Sequence, residues 1–233
     1  MSSDKKEPKL KRDVLAALPI FPLPNVVLFP GALVPLHIFE PRYREMVRDT
    51  LAGHRMLAMA MRLEDEVAGR TPAVASVVGV GEIVAAEPLA DGRFNVLLEG
   101  KARARIVKEL PLERSYRRVQ AVQLFEESRA TTEDEEQAPT SPTRLHESEA
   151  ALRALVEEVA GRLEDEDALA LRQAVSQPLP LGRLTDRLAS VLVSKAESRQ
   201  MLLETLDLGL RVDRLSREVA GLLTHLRPKT ALN

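Results

Sequence analysis

Residues 18–44 contain six prolines among apolar residues, and this stretch constrains the fold more than any other part of the chain. Proline fixes its own φ angle and has no backbone N–H to donate to a neighbouring strand. The prolines therefore divide the stretch into short extended pieces. We predict strands at residues 26–29 and 33–38, joined by a turn at Pro30 and Gly31. Short strands with sharp corners favour a small β-barrel over an open parallel sheet.

The two halves of the chain differ in composition. All seven aromatic residues lie within the first 125 residues, a region that is also rich in Val and Pro. The remainder is rich in Leu, Ala, Glu and Arg. Residues 1–130 carry 20 Lys and Arg against 17 Asp and Glu, whereas residues 131–233 carry 13 against 18. This segregation predicts an α+β protein in which a β-rich unit precedes an α-helical one.

Turn and cap signals divide the first half into elements. Pro41 suits the first position of a helix and Gly53 suits its C-terminal cap, so we predict a helix between them. Asp91 and Gly92 form a strong hairpin signal between residues 83–87 and 93–98. Two glycines within residues 74–86 indicate a bulge or a tight corner. The predicted strands after the helix are residues 56–61, 74–86, 93–98, 102–107 and 119–125.

Leucine and valine recur at spacings of three and four in the second half, which predicts helices. The segment before them, residues 126–147, has two prolines, an acidic cluster at residues 133–136 and no apolar periodicity. It therefore has the composition of a linker. We predict a disordered tail over residues 1–13, a β-rich domain over residues 14–126, a linker over residues 127–144 and an α-helical bundle over residues 145–228.

The composition also excludes several kinds of site. The chain has no cysteine, so it has no disulfide, no thiolate metal site and no cysteine nucleophile. It contains no G-x-x-x-x-G-K-[ST] phosphate loop. Residues 1–13 lack the apolar region of a secretory signal, and no apolar stretch approaches the ~18 residues of a membrane span. We expect a cytoplasmic protein without cofactors, and a net charge of −2 argues against a dedicated nucleic-acid binder.

The proline-rich run LPIFPLPNVVLFPGALVPLHIFEPRYR resembles the start of the substrate-binding domain at the N-terminus of Lon proteases. It is more similar still to the small stand-alone proteins built from that domain. The resemblance continues through GVGEIV, LADGRF, LEG and ARARI in the middle strands, at residues 79–84, 89–94, 98–100 and 102–106. It also includes AESRQMLLETLD at residues 196–207.

This resemblance implies a PUA-like β pseudo-barrel followed by a helical bundle. It also implies recognition of other proteins, such as unfolded or damaged chains, or a protease or chaperone partner. The family's substrate domain contributes no catalytic residue, so we expect none here. The adjacent Ser194 and Lys195 do not form a catalytic dyad, because neighbours on a helix point about 100° apart.

His37, Glu40 and Tyr43 are close in sequence and invite comparison with a metal or acid–base site. Such a site needs more ligands than these to converge. The other three histidines show no H-E-x-x-H spacing. We therefore predict structural roles for His37 and Glu40. Glu40 would cap the helix at Pro41 or pair with Arg42 or Arg44.

Lys101, Arg103 and Arg105 alternate and should project from one face of a strand. Arg114, Arg117 and Arg118 would extend them into a basic stripe that could contact RNA. The favoured interpretation is a solvated strand face with the intervening residues inside. Similarly, the apolar run at residues 56–61, which holds three methionines, fits a core strand better than an adaptable peptide-binding surface.

Three functions from different classes remain open at this point. The favoured one is a non-enzymatic module that recognises proteins in quality control or proteolysis. The alternative is an RNA-binding PUA-like protein, and the third is an unrecognised hydrolase. The sequence names no peptide-binding residue and no oligomeric state.

Overall fold

The computed structural model describes residues 8–63, 72–127 and 142–226, and the chain divides into two compact units. The first unit comprises Met1–Phe125 with Lys195–Glu204, and the second comprises Glu126–Ser194 with Thr205–Asn233. The first unit holds α1 (Arg12–Ala16), β1 (Leu18–Leu23), β2 (Leu33–Ile38), α2 (Pro41–Ala52), β3 (Met56–Met61), β4 (Val77–Pro88), β5 (Phe94–Glu109), β6 (Arg118–Leu124) and α6 (Ala196–Glu204). The second holds α3 (Pro142–Ala160), α4 (Asp165–Ser176), α5 (Leu181–Leu192) and α7 (Leu208–His225).

The six strands form one sheet in the order β2-β5-β4-β3-β1-β6, and a further pairing of β6 with β5 closes five of them into a barrel. β1 pairs with β3 in parallel, and the other pairings are antiparallel. The closure depends on the length of β5. Its residues 94–99 pair with β2 and its residues 103–109 pair with β6, while β4 lies along its other edge. The predicted α+β class with a β pseudo-barrel is confirmed.

Strands β1 and β3 are buried on both faces. In β1, Ile20 packs in one core cluster while Phe21 packs in the other; in β3, Ala58 and Met59 are divided in the same way. One cluster includes Tyr43, Met46 and Val47 of α2, and the other includes Val14 of α1. Burial on both faces explains why β3 is a continuous apolar run rather than an alternating one. The methionines of that run lie in the core, as predicted.

A buried segment at residues 26–29 crosses the strands where they carry glycine. A Cβ atom on Gly79 would lie less than 3.0 Å from the carbonyl oxygen of Leu28, and one on Gly100 equally close to that of Phe29. Leu28 and Phe29 are fully buried there. The ladder between β4 and β5 shifts register between Val80 and Gly81. The predicted bulge is therefore present, and the glycines also admit a crossing chain.

Several predicted strand boundaries were wrong. Residues 26–29 do not form a strand, because their backbone lies across the sheet instead of along a neighbouring strand. The first strand is β1, which contains Pro19 and Pro22 and was not predicted. Residues 93–98 and 102–107 are parts of the single strand β5, since Gly100 continues the ladder instead of ending it.

Helix α6 belongs to the first unit although its sequence lies among the other helices. The Gln200 side-chain amide donates to the carbonyl oxygen of Val77 in β4 over 2.8 Å. Arg103 of β5 donates from Nε to the carbonyl oxygen of Leu203 over 3.0 Å. The chain thus returns from the second unit to place one helix against the barrel. Whether the segments predicted from the sequence fold as separate domains stays a prediction.

The second unit packs its helices through the predicted leucine and valine faces. Helix α3 packs against α4 and α7, and α5 packs against α4 and α7. In α7, the residues at the predicted spacing of three and four, Val212, Leu215 and Val219, are buried. α3 begins at Pro142, inside the predicted linker, and α1 begins at Arg12, inside the predicted tail. The structure describes residues 8–11 of the predicted tail and residues 127 and 143–144 of the predicted linker. Residues 1–7 and 128–141 lie outside the described residues.

A fully buried arginine organises one end of the second unit. Arg211 of α7 forms ion pairs with Glu126 and with Asp186 of α5, and its Nη1 donates to the carbonyl oxygen of Thr205 over 2.9 Å. Asp186 is itself buried. Removing one member of such a group leaves an uncompensated charge, which makes this contact a strong constraint on the helix arrangement. No helix among the described residues is long and apolar enough to cross a membrane.

The close approach of the Leu28 backbone to Gly79 predicts that two Gly→Ala changes have opposite effects on the free energy of unfolding. Gly79→Ala should lower the free energy of unfolding by about 2–3 kcal/mol, because the new methyl group meets the rigid backbone of Leu28. Gly221→Ala in α7 has open space around it, so it should raise stability by about 0.5–1 kcal/mol. Urea unfolding followed by circular dichroism measures both. Equal effects of the two changes would contradict the close packing at Gly79.

Candidate functional site

The sheet leaves one largely apolar face open where β2, residues 94–99 of β5 and residues 83–88 of β4 lie side by side. Side chains alternate across this section. Ile38, Phe94 and Ile83 point into the core. The opposite side carries Leu33, Pro35, His37, Ala85, Glu87, Asn95 and Leu97. We call these seven residues the outer face.

Cross-strand register arranges the outer face in rows. Pro35 pairs with Leu97, which pairs with Ala85, so the middle row is apolar across three strands. The row on one side is polar and joins His37, Asn95 and Glu87. Leu33 begins the row on the other side, which continues through Glu99 to Glu82. The centre of the outer face is therefore an apolar strip, and the row on each side of this strip contains at least one carboxylate.

A shallow depression of about 530 Å³ lies along the apolar middle row and the polar row of His37, Asn95 and Glu87. Two large apolar side chains stand beside it: Leu33 is 58% exposed and Phe39, which follows β2, is 60% exposed. The Phe39 ring lies 6.3 Å from the His37 ring, nearly parallel to it. Exposed apolar side chains gathered around a depression are typical of a surface that binds another molecule.

A directional chain of hydrogen bonds fixes the polar row. Arg93 can only donate, so its Nη1 donates to Nε2 of His37 over 3.1 Å. Nδ1 of a neutral His37 then donates to Oδ1 of Asn95 over 2.8 Å, and the Asn95 amide donates to Glu87 over 3.1 Å. Arg93 is held in turn by Asp91 at 2.5 Å. The backbone hydrogen bond from Arg93 to Asp91 lowers the pKa of that carboxyl, and the Arg93 side chain adds to this effect.

Both open edges of this section carry proline. The Gly100 N–H donates to the carbonyl oxygen of Ala32, so alternate residues of β2 direct their backbone groups to β5 and the others direct theirs outward. Pro35 is one of the outward residues. The Leu89 N–H donates to Arg93 across the hairpin, which by the same alternation turns Pro88 of β4 outward. Each edge therefore lacks a donor, which hinders the addition of a further strand.

The structure gives His37 and Glu40 the structural contacts expected of them. Glu40 pairs with Arg42 at 2.8 Å, as predicted. It precedes α2, but its side chain makes no capping hydrogen bond. Tyr43 lies in the core against Phe21. Among residues 8–63, 72–127 and 142–226, no group of three His, Asp or Glu side chains could hold a metal ion.

The predicted basic stripe is interrupted. Arg103 was expected on a solvated face, but α6 covers it and leaves it only 1% exposed. Lys101 contacts Glu82 and Glu99. Partial burial lowers the pKa of its ammonium group, but the hydrogen bonds to Glu99 and Glu82 outweigh this effect and raise the pKa overall. Of the other four cations, Arg105 is exposed, whereas Arg114, Arg117 and Arg118 pair with Asp49, Glu109 and Glu113, respectively. The residues that the structure describes thus offer no continuous basic stripe for RNA.

Ser194 and Lys195 lie in the connection between α5 and α6, and the expectation that they share a helix was wrong. The outer face was not predicted from the sequence. The strongest local signal for it was the Asp91-Gly92 hairpin, because a closing pair of Leu89 with Arg93 places Asn95 opposite Glu87. The third strand, β2, joins through pairing with residues about sixty positions away, and no local pattern shows this.

A second pocket of about 400 Å³ lies at the C-terminal end of α2 and is lined by both apolar and polar residues. The Tyr116 hydroxyl donates to Asp49 there over 2.8 Å, and His54 lies 3.2 Å from Asp13. Burial, followed by the hydrogen bond and charge of Asp49, raises the pKa of Tyr116 to about 12. These contacts join α2 to the loop before β6, so the pocket has a clear structural role.

Comparison with known proteins gives the family. Residues 17–220 match the model of the ATP-dependent protease La (LON) substrate-binding domain. The chain belongs to this family. It is 27% identical over 201 residues to Lon protease 2 of Bdellovibrio bacteriovorus and 27% identical over 208 residues to a Lon protease of Anaeromyxobacter dehalogenans. These alignments cover 84% and 87% of the chain, and the chain spans 23% of each relative's length.

Solved structures of the family share the fold. The N-terminal domain of a Mycobacterium avium complex Lon protease matches with a TM-score of 0.63 at 18% identity, covering 88% of this chain and 98% of that one. A Lon N-terminal domain protein from Xanthomonas campestris matches with a TM-score of 0.56 at 23% identity, covering 86% and 96%. The match of the family model to residues 17–220 confirms the family identified from the sequence motifs.

The raised pKa of Tyr116 predicts a late step in tyrosine titration. Of the two tyrosines, Tyr116 should ionise at about pH 12, and Tyr116→Phe should remove that step. Asp49→Asn should move it toward the ordinary value near 10. Because the folded-state pKa is the higher one, this contact stabilises the protein below about pH 10 and is lost as the pH rises to about 12. Absorbance at 295 nm follows the ionisation, and a titration near pH 12 that is unchanged by Tyr116→Phe would contradict the assignment.

Proposed function

We propose that this chain is a non-enzymatic recognition module that binds apolar segments of unfolded or damaged proteins through the outer face. Membership of the Lon substrate-binding domain family supports a recognition role. The apolar row of Pro35, Leu97 and Ala85, with the exposed side chains of Leu33 and Phe39 beside it, is the observation that carries the choice of surface. In this proposal the protein acts in protein quality control or proteolysis in the cytoplasm, together with a protease or chaperone partner.

The shape of the outer face suits varied clients. A shallow apolar surface contributes modest affinity for each contact and tolerates many sequences. The prolines at both edges disfavour strand addition, so side-chain contacts with the apolar row would supply most of the binding energy. Burial of apolar area is not screened by salt as ion pairing is. Binding should therefore persist in high salt.

The proposal assigns no catalytic residue and no cofactor. His37 and Glu40 have structural partners, and the described residues bring no nucleophile and base together with them. RNA binding is not favoured, because Arg103 is buried and Lys101, Arg117 and Arg118 are each paired with a carboxylate. RNA affinity would also fall steeply with rising salt, which distinguishes the two functions experimentally.

The first test removes the two exposed apolar side chains beside the depression. The double change Leu33→Ser with Phe39→Ser should weaken binding of an unfolded protein such as reduced, alkylated lactalbumin by about tenfold, because it removes apolar contact area. Fluorescence anisotropy with the full chain measures this at low and high salt.

The matched control is Val107→Ser with Leu112→Ser. It also removes two exposed apolar side chains, which are 57% and 72% exposed and lie outside the outer face. The control should bind as tightly as the natural chain. Equal weakening by both pairs would show that the outer face has no special role, and no binding by the natural chain would refute the proposal.

The second test concerns catalysis. The purified chain should leave both ATP and casein intact, since the sequence has no phosphate loop and no cysteine, and no group of three His, Asp or Glu among the described residues could hold a metal ion. Phosphate release and gel electrophoresis measure the two reactions. Turnover that survives repurification and disappears in His37→Ala or Glu40→Ala would overturn the non-enzymatic role.

A further inference from the structure

We propose that the outer face selects apolar segments in which a basic residue stands two positions from an apolar one. This inference rests on the proposed function and adds a chemical preference to it. The partner is an extended apolar-x-basic segment of a protein. Three features of the outer face support it: its charge balance, the contacts of Glu87 and the spacing of its rows.

The rows that flank the apolar strip hold more carboxylates than cations. Glu82 and Glu99 share the single ammonium group of Lys101, at 3.2 and 2.7 Å. At the other end, the ion pair of Arg93 with Asp91 neutralises both groups. Glu87 adds one more carboxylate. The surroundings of the apolar strip therefore carry about two more negative than positive charges, which favours a cationic ligand.

Glu87 is the carboxylate best placed to bind such a ligand. Its hydrogen bond comes from the neutral Asn95 amide, over 3.1 Å. Within the part of the chain that the structure describes, no cationic side chain lies within ion-pairing distance of Glu87. The hydrogen-bond chain from Arg93 through His37 and Asn95 holds the Glu87 carboxylate in place. A cation from a bound segment can thus pair with a positioned acceptor.

The spacing of the rows sets the spacing of the preferred residues. Glu87 lies two residues beyond Ala85 on the same strand, and Asn95 two residues before Leu97. Two residues of extended chain span roughly 7 Å. A segment lying extended along the strands presents alternate side chains to the outer face with the same period. An apolar side chain over the Leu97 row therefore places the side chain two positions away over the Glu87 row.

Three peptides that differ at one position test this preference with the full chain. Each carries the same apolar residues, followed at the second position by Lys, Gln or Glu. At low salt, the Lys peptide should bind about threefold more tightly than the Gln peptide and the Glu peptide about threefold more weakly, since exposed ion pairs are individually modest. The differences should shrink in high salt while the shared apolar binding remains.

Changes at Glu87 assign the preference to this residue. Glu87→Gln keeps an oxygen acceptor for the Asn95 amide but removes the charge, so the three affinities should converge. Glu87→Lys should reverse their order. The control Glu113→Gln removes another exposed carboxylate, one that pairs with Arg118 outside the outer face, and should keep the original order.

The outcomes separate this inference from the proposed function. Equal binding of the three peptides to the natural chain, lost in the Leu33→Ser with Phe39→Ser variant, would overturn the basic preference and leave the proposed function standing. An unchanged preference in Glu87→Gln would overturn the role of Glu87. Failure of all three peptides and of the unfolded protein to bind would overturn both.

Discussion

The packing of residues 26–29 against glycine is the constraint on which the first unit depends. Leu28 and Phe29 are buried where Gly79 and Gly100 leave no side chain, so the backbone can cross the sheet. Immediately afterwards, the N–H of Gly31 donates to the carbonyl oxygen of Gly100, and the Gly100 N–H donates to Ala32, each over 2.8 Å. The crossing therefore delivers β2 to β5 in a fixed register, and that register determines which side chains face outward.

The same strand, β5, supports both the barrel and the proposed binding surface. Its second half closes the barrel through β6, while its first half carries β2 and the apolar row, in which Pro35 and Ala85 are exposed and Leu97 is half-buried. The surface is thus part of the sheet and not of a loop. A surface built on a strand framework keeps its residue spacing, which the proposed preference for an apolar-x-basic segment requires.

Local signals were sufficient for some elements and insufficient for others. The start of α2 at Pro41 and the Asp91-Gly92 hairpin follow from residues adjacent in sequence, and both predictions are confirmed. The strand predicted at residues 26–29 was wrong because its environment is made by glycines more than fifty positions away. Arg103 resembled a solvated residue because the helix that covers it is about a hundred positions away. The outer face went unpredicted for the same reason: three distant segments form it.

Methyl NMR during titration with an unfolded protein tests the central claim most directly, because it locates the contact within the full chain. If the outer face binds apolar segments, the methyl signals of Leu33, Leu97 and Ala85 should shift or broaden as the unfolded protein is added, whereas those of Leu112 and Val107 should stay unchanged. Lowering the salt concentration should leave the set of affected methyl groups the same. Changes confined to Leu112 and Val107, with the outer-face methyl groups unaffected, would contradict the claim that the outer face binds apolar protein segments.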